Sequence, residues 1–149
     1  MKLNFEQTID VSLVTVWAAF NDSSNKGRWQ QNFESYIHKS GNPGQPGAIS
    51  ELTFNENGKT MVINETITES RAPDFLSAIY ESKYSSTVIV NHFRSIDART
   101  TRWTTWCNFT FRGLMKIMAL FIAGSIRKRT EDDMHRFKLL VETNAAGRT

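Results

Sequence analysis

The sequence predicts an α+β fold: a curved antiparallel sheet of about seven strands closed by one long C-terminal helix. Three observations carry this. From Gln31 to Phe111 the chain consists of runs in which apolar and polar residues alternate, separated by turn-forming residues. Only Gly113 to Thr143 shows helical periodicity over a long stretch. An antiparallel sheet with one apolar face needs a cover, and that helix is the one segment long enough to provide it.

The elements follow in order. Leu3, Phe5, Gln7 and Ile9 alternate with polar residues, the pattern of a half-buried first strand. Asp10 and Ser12 offer caps for a short helix with Leu13, Val16, Trp17 and Phe20 on its apolar face. After Asn21 to Asn25 a further helical turn through Lys26 and Arg28 ends near Trp29. The second strand is expected from about Gln31 to Lys39, with Phe33, Ser35 and Ile37 on one face and Glu34, Tyr36 and His38 on the other. Gly41 to Gly47 is a loop rich in Gly and Pro; no Lys-Ser/Thr follows it, which argues against a phosphate cradle. Asn57-Gly58, between alternating runs over Ala48 to Asn55 and Lys59 to Glu69, is a two-residue hairpin turn. Strands then follow over Phe75 to Lys83, Thr87 to Ile96 and Thr100 to Phe111. In the last of these Trp103, Thr105, Cys107, Phe109 and Phe111 share one face.

The long helix has unlike halves. Met134, Phe137 and Val141 form one buried stripe, which extends back through Thr130, Ile126, Ala123 and Ala119. The first half carries more apolar surface than that stripe needs. Leu114, Met118 and Phe121 form a candidate second stripe, lining either a cavity mouth or a partner surface. Gly124 between the halves is where a bend costs least. The run from Ile117 to Ile126 falls far short of the roughly 20 residues that span a bilayer.

Composition narrows the function. A chain of 149 residues suits a single domain, residues 1–149, burying about two-thirds of its unfolded surface. The net charge of +3 is mild and dispersed, which argues against a nucleic-acid partner. The one tight basic cluster, Arg127 to Arg129, precedes Glu131 to Asp133 at four-residue offsets, so local pairing accounts for it. The lone Cys107 excludes a disulfide framework. Met1 to Glu6 lacks an apolar signal core, so a cytoplasmic location is expected. His38, His92 and His135 are scattered, so neither a metal nor another cofactor is expected.

Several landmarks together resemble the helix-grip superfamily, which includes START lipid-transfer domains, birch-pollen-allergen-like proteins and bacterial polyketide cyclase/dehydrase-type (SRPBCC) proteins. They are Val16-Trp17, Trp29, Gly44-x-x-Gly47, Glu65-Thr66-Ile67-Thr68 before Ala72-Pro73, Thr101-x-Trp103-Thr104, Phe109-x-Phe111-x-Gly113 and Lys138-x-Leu140-Val141-Glu142. Their order covers nearly the whole chain. The resemblance implies a helix-grip fold (β-α-α-β6-α), its sheet wrapped around the C-terminal helix with a hydrophobic cavity between them.

On that expectation the cavity is lined by Phe33, Phe54, Ile63, Tyr80, His92, Trp103, Thr105 and Phe109, with Met118 and Phe121 at the mouth. Each of these side chains also fits an ordinary core. Glu65 shares a strand face with Met61, Ile63 and Ile67, and an inward carboxylate needs a partner, for which His92 or Arg94 is placed. The expected function is to bind or carry a hydrophobic small molecule, lipid-like or aromatic, without catalysis. The alternatives are a cyclase- or dehydratase-type enzyme in which Glu65, His92 and Tyr80 converge for acid–base chemistry, and a protein-binding module using Leu114, Met118 and Phe121. A homodimer stays open.

Overall fold

The computed structural model describes residues 1–147. The order is β1 (Lys2–Ile9), α1 (Leu13–Asn21), a 3-10 turn (Ser23–Asn25), α2 (Lys26–Trp29), β2 (Phe33–Ser40), β3 (Ile49–Glu56), β4 (Lys59–Arg71), β5 (Phe75–Glu81), β6 (Ser85–Asp97), β7 (Thr100–Phe111) and α3 (Met115–Ala146). The seven strands form one sheet in the order β1-β7-β6-β5-β4-β3-β2, antiparallel throughout. After β1 the chain crosses to the far edge through α1 and α2, then walks back strand by strand until β7 meets β1.

Local chemistry fixes the turns. Asn57 and Gly58 have φ of 54° and 82°, the paired positive values of a hairpin turn whose twist matches its strands. Gly41 has φ of 77° and its backbone lies so near Ala48 that a Cβ would stand 2.9 Å from the Ala48 Cα. Only glycine fits there. Ser12 occupies the N-cap of α1, but its hydroxyl donates to Thr15 Oγ1 at 3.0 Å instead of accepting a backbone N–H.

One end of the molecule is solid. Ile9, Val11, Val16, Trp29, Phe93, Trp103, Met134, Phe137 and Val141 belong to one buried cluster that continues through Leu3, Phe5 and Cys107, with Trp17, Phe20, Ile89 and Phe109 packed against it. α3 supplies Met134, Phe137 and Val141 as predicted, and it runs through Gly124 without a break. It packs on β1, β7, α1 and α2. Lys138 donates to the Thr8 carbonyl at 3.0 Å and Glu142 accepts the Asp10 N–H at 2.9 Å, tying the last turns of α3 to β1. Arg127–Glu131 (3.7 Å) and Lys128–Asp132 (2.8 Å) pair as the spacing predicts. Arg129 does not join Asp133; it reaches across to Glu56 and to the Gln31 carbonyl, while Asp133 accepts the Gln31 N–H at 3.2 Å. These cross-links pin the middle of α3 to the turn before β2 and to the end of β3.

Candidate functional site

In an antiparallel sheet, residues directly opposed share a face, so the register lists the wall of the concavity row by row. Nearest the solid end, Phe93 opposes Trp103. Leu76, Asn91, Thr105 and Phe5 form the next row. Ile67, Ala78, Ile89, Cys107 and Leu3 follow. Beyond these lies a row of different character: Ser50, Glu65, Tyr80, Thr87 and Phe109. On its β2–β4 side stand Tyr36, Leu52 and Ile63, then Phe33, Phe54 and Met61. Polar groups thus cross the middle of a mostly apolar wall, in which Asn91 and Thr105 are also polar.

Glu65 is 6% exposed, and its Oε2 accepts the Tyr80 hydroxyl at 2.6 Å, a short charge-assisted bond. Beside it the Ser50 hydroxyl donates to the Tyr36 oxygen at 2.8 Å. Lys26, from α2, places its Nζ 5.5 Å from the Tyr36 ring centroid. Burial pulls the Lys26 ammonium below its ordinary range, and the Glu65 charge pulls it partly back. The two form no direct ion pair among the described residues; Glu65 Oε2 is held by Tyr80. One helical turn on from Lys26, the indole N–H of Trp29 is buried and has no acceptor among the described residues, a costly state unless a visiting group pairs with it. Cys107 lies in the wall with its thiol pushed up to about 11 by burial, which makes it unreactive.

Burial, then the Glu65 charge, hold the Tyr80 phenol well above its ordinary value of 10.0. The folded state therefore keeps a proton that the unfolded chain releases above pH 10.0, and the stability it brings is whole below that pH and lost as the pH climbs through the folded value. We expect the unfolding free energy of the wild type, minus that of Tyr80→Phe, to fall above pH 10.0 by up to about 1.4 kcal/mol per pH unit. Urea titrations of both proteins across that range check this, and a difference that stays flat would contradict it.

Of the residues expected in the cavity, Phe33, Phe54, Ile63, Glu65, Tyr80, Thr105 and Phe109 share the inner face. Phe33 and Phe54 meet edge to face at 5.7 Å. Trp103 is inward too, but it belongs to the solid end: Phe93 stacks on it at 5.7 Å, Phe20, Trp29 and Phe137 meet its edges, and its Nε1 donates to Asn91 at 2.9 Å.

Three placements need correction. His92 opposes Thr104 and Phe75 on the convex face and is exposed, so Glu65, Tyr80 and His92 do not converge. Arg94, in the same phase, is no partner for Glu65 either; Tyr80 fills that role. Met118 and Phe121 are 51% and 82% exposed, on the side of α3 away from the sheet. Continuing the Met134–Phe137–Val141 stripe backwards turns Ala119, Ala123 and Ile126 inward instead. Of these Ala119 is buried, and Ala123 and Ile126 are partly buried. The reading also missed Lys26, Tyr36 and Ser50. Tyr36 changes face because the pairing slips between Phe33 and Ser35, a bulge that lets Phe33 and Tyr36 both point inward.

Two depressions of about 620 and 340 Å³ open on the convex face, where His92, Thr104 and Glu6 line both. The larger is walled mainly by charged and polar side chains, among them Arg102 paired with Glu6 at 2.7 Å; the smaller also takes in Val90 and Trp106 and reaches Phe5 and Thr105. The buried polar row makes the concave side the stronger candidate.

No family model matches the sequence, and no curated protein matches it. Solved structures match its fold. The chain is similar to the Zhui aromatase/cyclase from Streptomyces sp. R1128, with TM-score 0.84 and 10% identity over 97% of this chain and 95% of that one. It is similar to Ara h 8.0201, with TM-score 0.77 and 12% identity over 96% and 98%. A protein of unknown function from Staphylococcus aureus gives TM-score 0.78 and 12% identity over 98% and 96%. The chain has the helix-grip fold that its sequence landmarks resemble.

Proposed function

We propose that residues 1–149 act as one domain that binds or carries a hydrophobic small molecule, lipid-like or aromatic, between the sheet and the first half of α3. The molecule's apolar body would lie against Phe33, Phe54, Ile63 and Phe109. Its one polar group would meet Glu65, Tyr80 and Lys26. The observation that carries this reading is the polar row itself: buried hydrogen-bonding groups, with a desolvated ammonium beside them, set among apolar wall residues. Such groups are expensive to desolvate, and a ligand that pairs with them recovers part of that cost.

Acid–base catalysis draws less support. Glu65 and Tyr80 share one hydrogen bond, but His92, the third member expected for a cyclase- or dehydratase-type site, is on the other face. Native mass spectrometry of gently purified protein tests the binding reading, together with titration by the neutral fluorophore N-phenyl-1-naphthylamine. A co-purifying hydrophobic molecule, or saturable fluorophore binding that Ile63→Trp obstructs, is the expected result. Protein that carries nothing and takes up no fluorophore would sink the reading.

A further inference from the structure

We propose that the first half of α3 is a docking surface for an anionic lipid bilayer. Its less exposed side is apolar, through Met115, Ala119, Ile122 and Ile126. Its outer side is apolar as well: Leu114, Ile117, Met118, Leu120 and Phe121 are 80%, 63%, 51%, 81% and 82% exposed. At about 100° per residue these five fan over an arc of about 160°. An exposed apolar patch of this kind marks an interaction surface.

The surroundings say what covers it. The helix begins beside the β5–β6 turn, where the Arg112 N–H donates to the Tyr84 carbonyl at 2.8 Å and its guanidinium to the Ser82 carbonyl at 2.7 Å. Tyr84 is 41% exposed there, with the Lys83 Nζ 4.9 Å from its ring centroid. Lys83, Arg112 and Lys116 ring this tip, against one carboxylate, Glu81, 3.7 Å from Arg112. From Arg112 to Thr130 the sequence has no acidic residue. The tip is a greasy knob with a cationic collar, complementary to a negatively charged membrane surface.

A second copy fits worse, because the same face of a partner, with no acidic residue from Arg112 to Thr130, offers the collar of Lys83, Arg112 and Lys116 nothing to pair with. An anionic interface meets the apolar fan and the cationic collar at once. No helix among the described residues is long and apolar enough to cross a membrane, so the chain would rest on the bilayer. This docking does not depend on the ligand reading, since fluorophore binding in the absence of lipid is measured separately.

Co-sedimentation with phosphatidylcholine vesicles, with and without phosphatidylglycerol, tests it. The expected result is binding that needs phosphatidylglycerol, weakens with salt, and falls at least about tenfold in Leu120→Glu/Phe121→Glu. Both side chains are exposed, so the urea midpoint of this variant should match the wild type. As a second handle, Phe121→Trp should shift its emission to the blue on adding phosphatidylglycerol vesicles. Failure to bind these vesicles, or equal binding by wild type and the double variant, would overturn the proposal. So would a wild-type dimer, seen by light scattering, that the double variant disperses, because the face would then belong to a second copy.

Discussion

Phe137→Ala is expected to cost about 3–5 kcal/mol of folding stability, lowering the melting temperature by roughly 10 °C. The ring is 0% exposed. Its centroid lies 5.3 Å from those of Trp29 and Trp103 and 5.9 Å from that of Phe20. Those partners come from α1, α2 and β7, so no single element can move to fill the space. Removing the ring leaves a void where edge-to-face contacts between four aromatics had been. Phe121→Ala, sixteen residues earlier on the same helix, is expected to change stability by less than about 0.5 kcal/mol. Urea unfolding of both variants decides the phase of α3. Equal losses at the two positions would mean that the helix is rotated from the orientation described.

That contrast also shows which parts of the structure were legible in the sequence. The second half of α3 has one apolar stripe, and burial follows it through Met134, Phe137 and Val141. The first half is apolar nearly all round, so periodicity alone could not say that Ala119 turns inward and Phe121 outward. β7 alternates cleanly and was read in the correct phase. β6 carries Val88, Ile89 and Val90 in succession, which erases the alternation. Its phase is set by a polar need instead: Asn91 faces inward to accept the buried indole N–H of Trp103. His92 is then forced outward. The Phe33–Ser35 bulge leaves no trace in composition, so Tyr36 was assigned to the wrong face. The sequence shows Lys26 only as part of a short helical turn, and the crossing of α2 over the sheet edge is what brings it against Tyr36 and towards Glu65.

Glu65→Gln and Lys26→Met are each expected to abolish discrimination between two probes of nearly equal shape, naphthalene and 2-naphthol. In the wild type the hydroxyl of 2-naphthol can donate to Glu65 and accept from Lys26. A hydrogen bond to a charged group contributes about 1.5–3 kcal/mol, so 2-naphthol should bind roughly tenfold to a hundredfold more tightly than naphthalene. Gln at position 65 still accepts the Tyr80 hydroxyl, which keeps the row folded while removing the charge. Its affinity for naphthalene should therefore stay within about twofold of wild type while 2-naphthol loses its advantage. Met at position 26 preserves the aliphatic stem over the Tyr36 ring and removes only the ammonium. Competition against N-phenyl-1-naphthylamine measures all six affinities. If the variants lose both probes in parallel, the polar row is structural reinforcement. If they lose 2-naphthol alone, Glu65 and Lys26 are the groups that choose the ligand, while the apolar wall only holds it.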